Sequence, residues 1–160
     1  MSWRPYFFLT LMGLVVLLAV AAFQAAPGYM DAEYYYAGGL RLDQGYCFSE
    51  IFLWNYLDDP QGLPHPSHAY WMPLASLLAL AGMKVMGTCA FWAGRLPFIL
   101  IAACIPPLTA ALAYRLSHRR EAAFFAGLLA VLSAFYLPYL ATSDTFAIYM
   151  LLGTLWLWLA

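Results

Sequence analysis

Asp31 and Glu33 lie directly after an apolar run, in Pro27-Gly28-Tyr29-Met30-Asp31-Ala32-Glu33-Tyr34-Tyr35-Tyr36. Carboxylates are costly to hold in lipid, so acids beside a hydrophobic segment are candidates for function. Just outside the bilayer such groups can take a proton from a hydroxyl or hold a hard divalent cation. The structural alternative is that Asp31 caps a helix and Glu33 favours its first turn. Asp144, in Ala141-Thr142-Ser143-Asp144, poses the same choice, because Thr-Ser-Asp is also a good helix start before Phe146. His65 and His68 stand three apart and on a helix would present two metal ligands on one face, although Pro66 argues against a regular helix there. Arg95 opens an apolar run, where a guanidinium can attract a lipid phosphate or snorkel to the interface. Ser67 has no evident base partner in the sequence, so a nucleophilic triad has no support.

These residues must be positioned by membrane elements. The chain is 65% hydrophobic and 9% charged, against roughly 25% charged in a soluble domain. That composition points to an integral membrane protein. A net charge of −1 offers nothing to a nucleic-acid backbone, and no nucleic-acid partner is expected. Cys47, Cys89 and Cys104 are odd in number and irregular in spacing, which gives neither a disulfide framework nor a zinc pattern. A Cys47–Cys89 bridge is the one pairing to consider, and spacing does not favour it.

Apolar periodicity and length predict spans at about 6–26, 97–114 (with Pro106-Pro107 as a kink) and 122–139, and the beginning of another at 146–160. The last run ends on Leu-Trp-Leu-Trp-Leu-Ala without a polar flank, so the sequence reads as the N-terminal part of a longer polytopic protein. The run at 72–83 is short before Lys84 and suits an interfacial or re-entrant helix. Arg4 precedes the first span, and Arg115, Arg119 and Arg120 follow the second. Both basic segments are cytoplasmic if one crossing separates Trp71 from Arg115. Residues 27–95 and the turn at 141–144 then lie outside, which puts Asp31, Glu33 and Asp144 at one membrane face. The alternative for residues 1–26, a cleaved signal peptide, leaves the same loop outside.

The outer segment concentrates charge. Asp31, Glu33, Asp43, Glu50, Asp58 and Asp59 all fall between Pro27 and Trp71, with Arg41 as the single cation. A short helix is expected from Asp31 to Gly45, an aromatic-rich stretch from Ile51 to Leu57, and a turn at Asp58-Asp59-Pro60-Gln61-Gly62. Trp54, Tyr56, Tyr70 and Trp71 suit a membrane interface. The expected fold class is all-α: a polytopic helical bundle with a structured first outer loop of short interfacial helices.

The order of these motifs resembles a known layout. Met30-Asp31-Ala32-Glu33-Tyr34-Tyr35 follows a first span. Pro66-Ser67-His68-Ala69-Tyr70-Trp71-Met72-Pro73 closes an outer loop, Arg95-Leu96-Pro97 opens the second span, a basic turn follows, and Ser143-Asp144 precedes the fourth. The chain is similar to the N-terminal part of GT-C glycosyltransferases, in the branch of protein O-mannosyltransferases and the lipid A aminoarabinose transferase. The resemblance implies sugar transfer from a polyprenyl-phosphate donor to an acceptor protein or glycolipid, at the outward face of a bacterial plasma membrane. It implies Asp31 as the catalytic carboxylate, Glu33 as its support and Asp144 on the same cavity, with Tyr35 and His68 as further substrate contacts. Many relatives carry Lys where this chain has His65, so Arg95 and His65 are the candidates for the donor phosphate. A divalent metal ion is the other candidate cation, with Asp31 and Asp144 as its ligands. Direct displacement would invert the anomeric centre. The alternative function is a transporter or non-catalytic scaffold. A transporter is expected to place ionisable groups near mid-bilayer at broken helices, whereas these spans contain none.

Overall fold

In a computed structural model, residues 3–53, 59–69, 71–133 and 135–159 are described. They are mostly helical. Helix α1 (Arg4–Ala22) begins with Pro5 in its first turn, where a missing N–H costs nothing. Leu9, Gly13, Leu17 and Ala21 form its buried stripe. Phe7, Phe8, Leu11, Val15 and Leu18 are equally apolar but exposed. A helix that is hydrophobic all round yet buried on one stripe suits a lipid surround.

The chain turns at Gly28, whose φ of 92° is open to glycine at little cost. Helix α2 (Met30–Asp43) starts after Tyr29 in extended backbone and agrees with the expected helix within the usual boundary error. It packs on α3 (Leu74–Met86) through Gly39, where a Cβ would meet Ala79 Cβ and Ser76 O, each at 2.9 Å. Between them, β1 (Ser49–Glu50) pairs antiparallel with β2 (His65–Pro66). A single 3-10 turn at Pro60–Gly62 is held by Asp59, which accepts from Gln61 N at 2.9 Å. Trp54, Tyr56, Leu57, Asp58 and Tyr70 lie outside the described residues.

Helix α3 ends at Gly87 in the left-handed region. It packs so closely on α4 (Phe91–Ala103) that a Cβ on Gly82 would sit 2.3 Å from Ala93 O. Helices α4 and α5 (Ile105–Ser117) run on as one apolar segment, Phe91–Ser117, with an irregularity at Cys104 before Pro106-Pro107. Prolines there remove backbone donors, which bends a helix rather than ending it when neighbours hold both halves. The segment starts earlier than the predicted 97, and Pro97 lies inside α4.

The span predicted at 122–139 is not one helix. Helix α6 (Arg120–Val131) stops, and a four-residue helix, α7 (Leu137–Leu140), follows. Pro138 lies in the first turn of α7, where its missing N–H costs nothing. The N–H groups of Tyr136 and Leu137 both bond to Ser133 O. Helix α8 (Phe146–Leu159) completes the set. Among the described residues two helices, Arg4–Ala22 and Phe91–Ser117, are long and apolar enough to cross a membrane.

The core that positions the site is a contact of α1, α4, α5, α7 and α8 around Leu17, Ala21, Ile99, Ala102, Leu140, Ala141 and Ala147. A second cluster joins α2, α3 and α4 around Tyr34, Tyr35, Ala79, Met83 and Phe98. The α1–α2 link and the α7–α8 turn meet where these clusters adjoin.

Candidate acidic site

The α1–α2 link and the α7–α8 turn are tied by hydrogen bonds from three consecutive residues. Thr142 Oγ1 donates to Pro27 O at 3.2 Å, and Ser143 Oγ donates to Ala32 O at 2.9 Å. Asp144 Oδ2 accepts from the Tyr29 hydroxyl. All three turn residues are buried, Asp144 to 2% exposure. Asp144 Oδ1 accepts from the Thr145 backbone N–H and from Thr145 Oγ1, the latter at 3.0 Å. The Tyr29 ring packs edge-on against Tyr139 at 5.4 Å between centroids.

Asp31 lies in the first turn of α2 and is half-buried. It is not the cap, a position that Tyr29 occupies without a side-chain bond. Burial, and then the neighbouring Asp144 charge, hold the Asp31 carboxyl above the usual carboxylate range. Burial, then the hydrogen bond to Asp144 and the charges of Asp144 and Asp31, raise the Tyr29 hydroxyl well above the usual phenol range. Tyr35, at 2% exposure, is raised first by burial and then by the same two charges. It is a wall of the site; so little exposed surface does not suit the direct substrate contact expected of it.

Glu33 is not brought into this pair. Residues two apart on a helix point to different sides. Glu33 is exposed and lines a separate cavity of about 460 Å³ with Met30, Tyr34, Ala37, Ile51 and Phe52. Arg95 is nine-tenths buried on α4, donates to Gln24 O at 2.9 Å and packs over the Phe91 ring at 4.8 Å. Gln24 in turn donates from Nε2 to Pro138 O at 2.9 Å. The guanidinium therefore sits at the C-terminal end of α1, which favours a cation.

The two histidines do not share a helix face. His65 is in β2, with Nδ1 3.4 Å from the buried Glu50 Oε1. His68 has a φ of 64°, accepts or donates at Ser67 Oγ (2.6 Å) and Ser76 Oγ (2.9 Å), and its N–H donates to the Tyr34 hydroxyl at 2.5 Å. Burial pushes the His68 ring below its usual value and the Tyr34 hydroxyl up to about 12. Ser67 thus does have a base partner, the next residue. Its own N–H, however, is committed to Phe48 O, and the other side of His68 is closed by the fully buried Ser76. The cluster holds the loop on α2 and α3. The cysteines are free thiols, and Cys89 donates to Asp43 Oδ2 at 3.0 Å.

No protein-family model, curated protein or solved structure matches this chain. The chemistry must therefore be argued from the side chains. One buried carboxylate, Asp144, accepts three hydrogen bonds, and a half-open one, Asp31, which burial and the Asp144 charge act on, binds protons more tightly than usual. Environments that differ in this way separate a charged partner from a proton acceptor. The pair does not fit a resident divalent cation. Both Asp144 oxygens already accept from protein donors, and among the described residues no three His, Cys, Asp or Glu side chains converge. Calcium takes six or more oxygen ligands, and magnesium near-ideal octahedral geometry.

Sequence reasoning singled out Asp31 and Asp144 but missed Tyr29, Thr142 and Ser143. The sequence carried one usable signal for them: the run Thr-Ser-Asp, read there as a helix start, is also a run of three polar side chains between apolar segments.

Proposed function

We propose that this chain is part of a membrane glycosyltransferase that moves a sugar from a polyprenyl-phosphate donor to an acceptor hydroxyl at the outward membrane face. The observation that carries the reading is the Asp31–Asp144 pair, assembled from two segments remote in sequence and each next to a membrane-length or apolar helix. Asp31, half-open and with raised proton affinity, takes the proton of the acceptor hydroxyl. The hydroxyl oxygen forms the new bond to the anomeric carbon as the bond from that carbon to the phosphate oxygen breaks. The electron pair leaves with the lipid phosphate, and the centre inverts. Arg95 supplies positive charge for the departing phosphate. It has a single hydrogen bond among the described residues, to Gln24 O, which leaves guanidinium N–H groups for an anion.

The reading requires the chain to be multi-pass, with Arg4 and the segment from Arg115 to Arg120 cytoplasmic. Single-cysteine labelling of intact cells, in a background lacking Cys47, Cys89 and Cys104, tests this. Label is expected at position 59 and absent at position 118, and the reverse pattern would reject the topology and the function together. Sugar release from a panel of polyprenyl-phosphate donors in membranes tests the chemistry. Release that depends on Asp31 is expected, and no turnover with any donor would favour the transporter or scaffold reading.

A further inference from the structure

Arg95 is nine-tenths buried in α4, yet among the described residues no carboxylate pairs with it. Its one hydrogen bond there runs from Nη1 to Gln24 O, and the Phe91 ring covers one face of the guanidinium. The C-terminal end of α1 offsets about half a unit of its charge. A buried charge left uncompensated is destabilising and calls for a counter-anion. The way to it is open. Gln24 Oε1 is enclosed and has no donor, whereas no Arg95 nitrogen is both enclosed and unbonded. The guanidinium N–H groups that Gln24 O does not take therefore reach accessible space.

Gln24 accounts for how that charge is kept free. It joins three elements. Its N–H bonds to Ala21 O in α1, its carbonyl holds Arg95 of α4, and its side-chain Nε2 donates to Pro138 O of α7 at 2.9 Å. The bond to Pro138 O needs a side-chain donor. Lys or Arg would supply one and add a second cation, and an ionised Glu has no donor and would bring a negative charge beside Arg95. Among long unbranched side chains only Gln donates without carrying charge. Its own amide oxygen is left without a donor, a destabilising consequence of that choice. We propose that Gln24 is the positioning residue of an anion site at Arg95: it holds the guanidinium by a neutral carbonyl, so that the charge is free for a phosphoryl oxyanion. The source of that anion, the phosphate of the polyprenyl donor, rests on the functional reading above. A guanidinium fixed at one edge and stacked on a ring presents its remaining N–H groups in one direction, which suits phosphoryl oxygens.

Gln24→Met and Gln24→Glu both keep the length of the side chain and both delete the bond to Pro138 O. Only Glu adds a negative charge beside Arg95. Binding is read without turnover, as the rise in unfolding temperature that a short-chain isoprenyl monophosphate gives to the complete protein in detergent. Wild type is expected to be protected, and Arg95→Gln is not. Gln24→Met should bind the probe more weakly than wild type, because the link that aims Arg95 is looser. Gln24→Glu should bind about tenfold more weakly again. An amide with a packing role alone predicts equal affinity in the two variants, and that result would overturn the proposal, as would wild-type affinity in Arg95→Gln. Gln24→Lys keeps a donor for Pro138 O and adds no negative charge. Folded Gln24→Lys should retain the protection, and its loss there would also overturn the proposal, whether or not Gln24→Glu folds. Phosphatidylglycerol is the comparison probe. Protection by it, with none by the isoprenyl phosphate, would support the anion site and reject its assignment to the donor. Protection by the isoprenyl phosphate without sugar release from any donor would support the site and count against the functional reading, so the two failures are distinguishable.

Discussion

Asp31→Asn should separate function from stability, in opposite directions. The side chain keeps its size, and the cap of α2 is Tyr29, so no capping bond is lost. What is lost is the favourable position of a negative charge in the first turn, which contributes about 0.3–1 kcal/mol at an exposed site. Against this, the folded protein raises the Asp31 pKa from 3.8, through burial and the Asp144 charge. A carboxyl that binds its proton more tightly when folded destabilises the fold as pH rises from 3.8 through the raised value, and the penalty is complete above it. Removing the charge relieves that penalty at neutral pH. The two effects offset, and the net change in stability should lie within about 1 kcal/mol, with its favourable component present only above pH 3.8. Activity should behave quite differently. Loss of a general base costs about 10²–10⁴-fold in rate. The assay follows sugar release from a polyprenyl-phosphate donor in membranes, with thermal unfolding of the purified variant and protein abundance measured in parallel. Wild-type turnover at equal abundance would refute the base assignment. Loss of activity together with a large fall in unfolding temperature would refute the argument that Asp31 is dispensable for the fold.

Other substitutions test the neighbouring claims. Asp144→Asn removes the charge that helps raise Asp31, so the acid limb of the rate profile should move to lower pH, and an unmoved limb would show that the two carboxyls are not coupled. Glu33→Gln lies on the wall of the separate 460 Å³ cavity and should leave the acid limb unchanged, which a pH–rate comparison with wild type would check. Ser143→Ala deletes a buried bond to Ala32 O and should cost about 1–3 kcal/mol of stability, read by thermal or denaturant unfolding in detergent. Gly82→Ala places a Cβ 2.3 Å from Ala93 O and 2.8 Å from Pro97 Cδ. Separating α3 from α4 should cost about 1–3 kcal/mol, and a neutral result would mean the two helices can part freely.

What the sequence disclosed and what it withheld have a common physical origin. Helices α1, α2 and α3 and the apolar segment from Phe91 to Ser117 were legible because hydrophobic length and local capping are properties of neighbours in sequence. The segment predicted as a third span, 122–139, is two helices, α6 and α7, and apolar composition alone reads straight through the break between them. The histidines do not share a helix face, as Pro66 already suggested: their geometry belongs to a strand pairing and a left-handed residue, Glu50 with His65 and His68 at φ 64°, and neither leaves a periodic trace. The three carboxylates were recognised as residues, and the fold separates Glu33 from the other two. Glu33 was joined to Asp31 by proximity in sequence, while the helix turns it to another cavity. Asp144 was joined by inferred sidedness, and its contact with the site passes through Tyr29. That last link is the instructive one, since a phenol is an ordinary interfacial residue until the donor it faces is known. In a site built from a link and a turn, the side chains that could do chemistry are visible in the sequence. The contacts that set their surroundings become visible only when the turn has folded against the link.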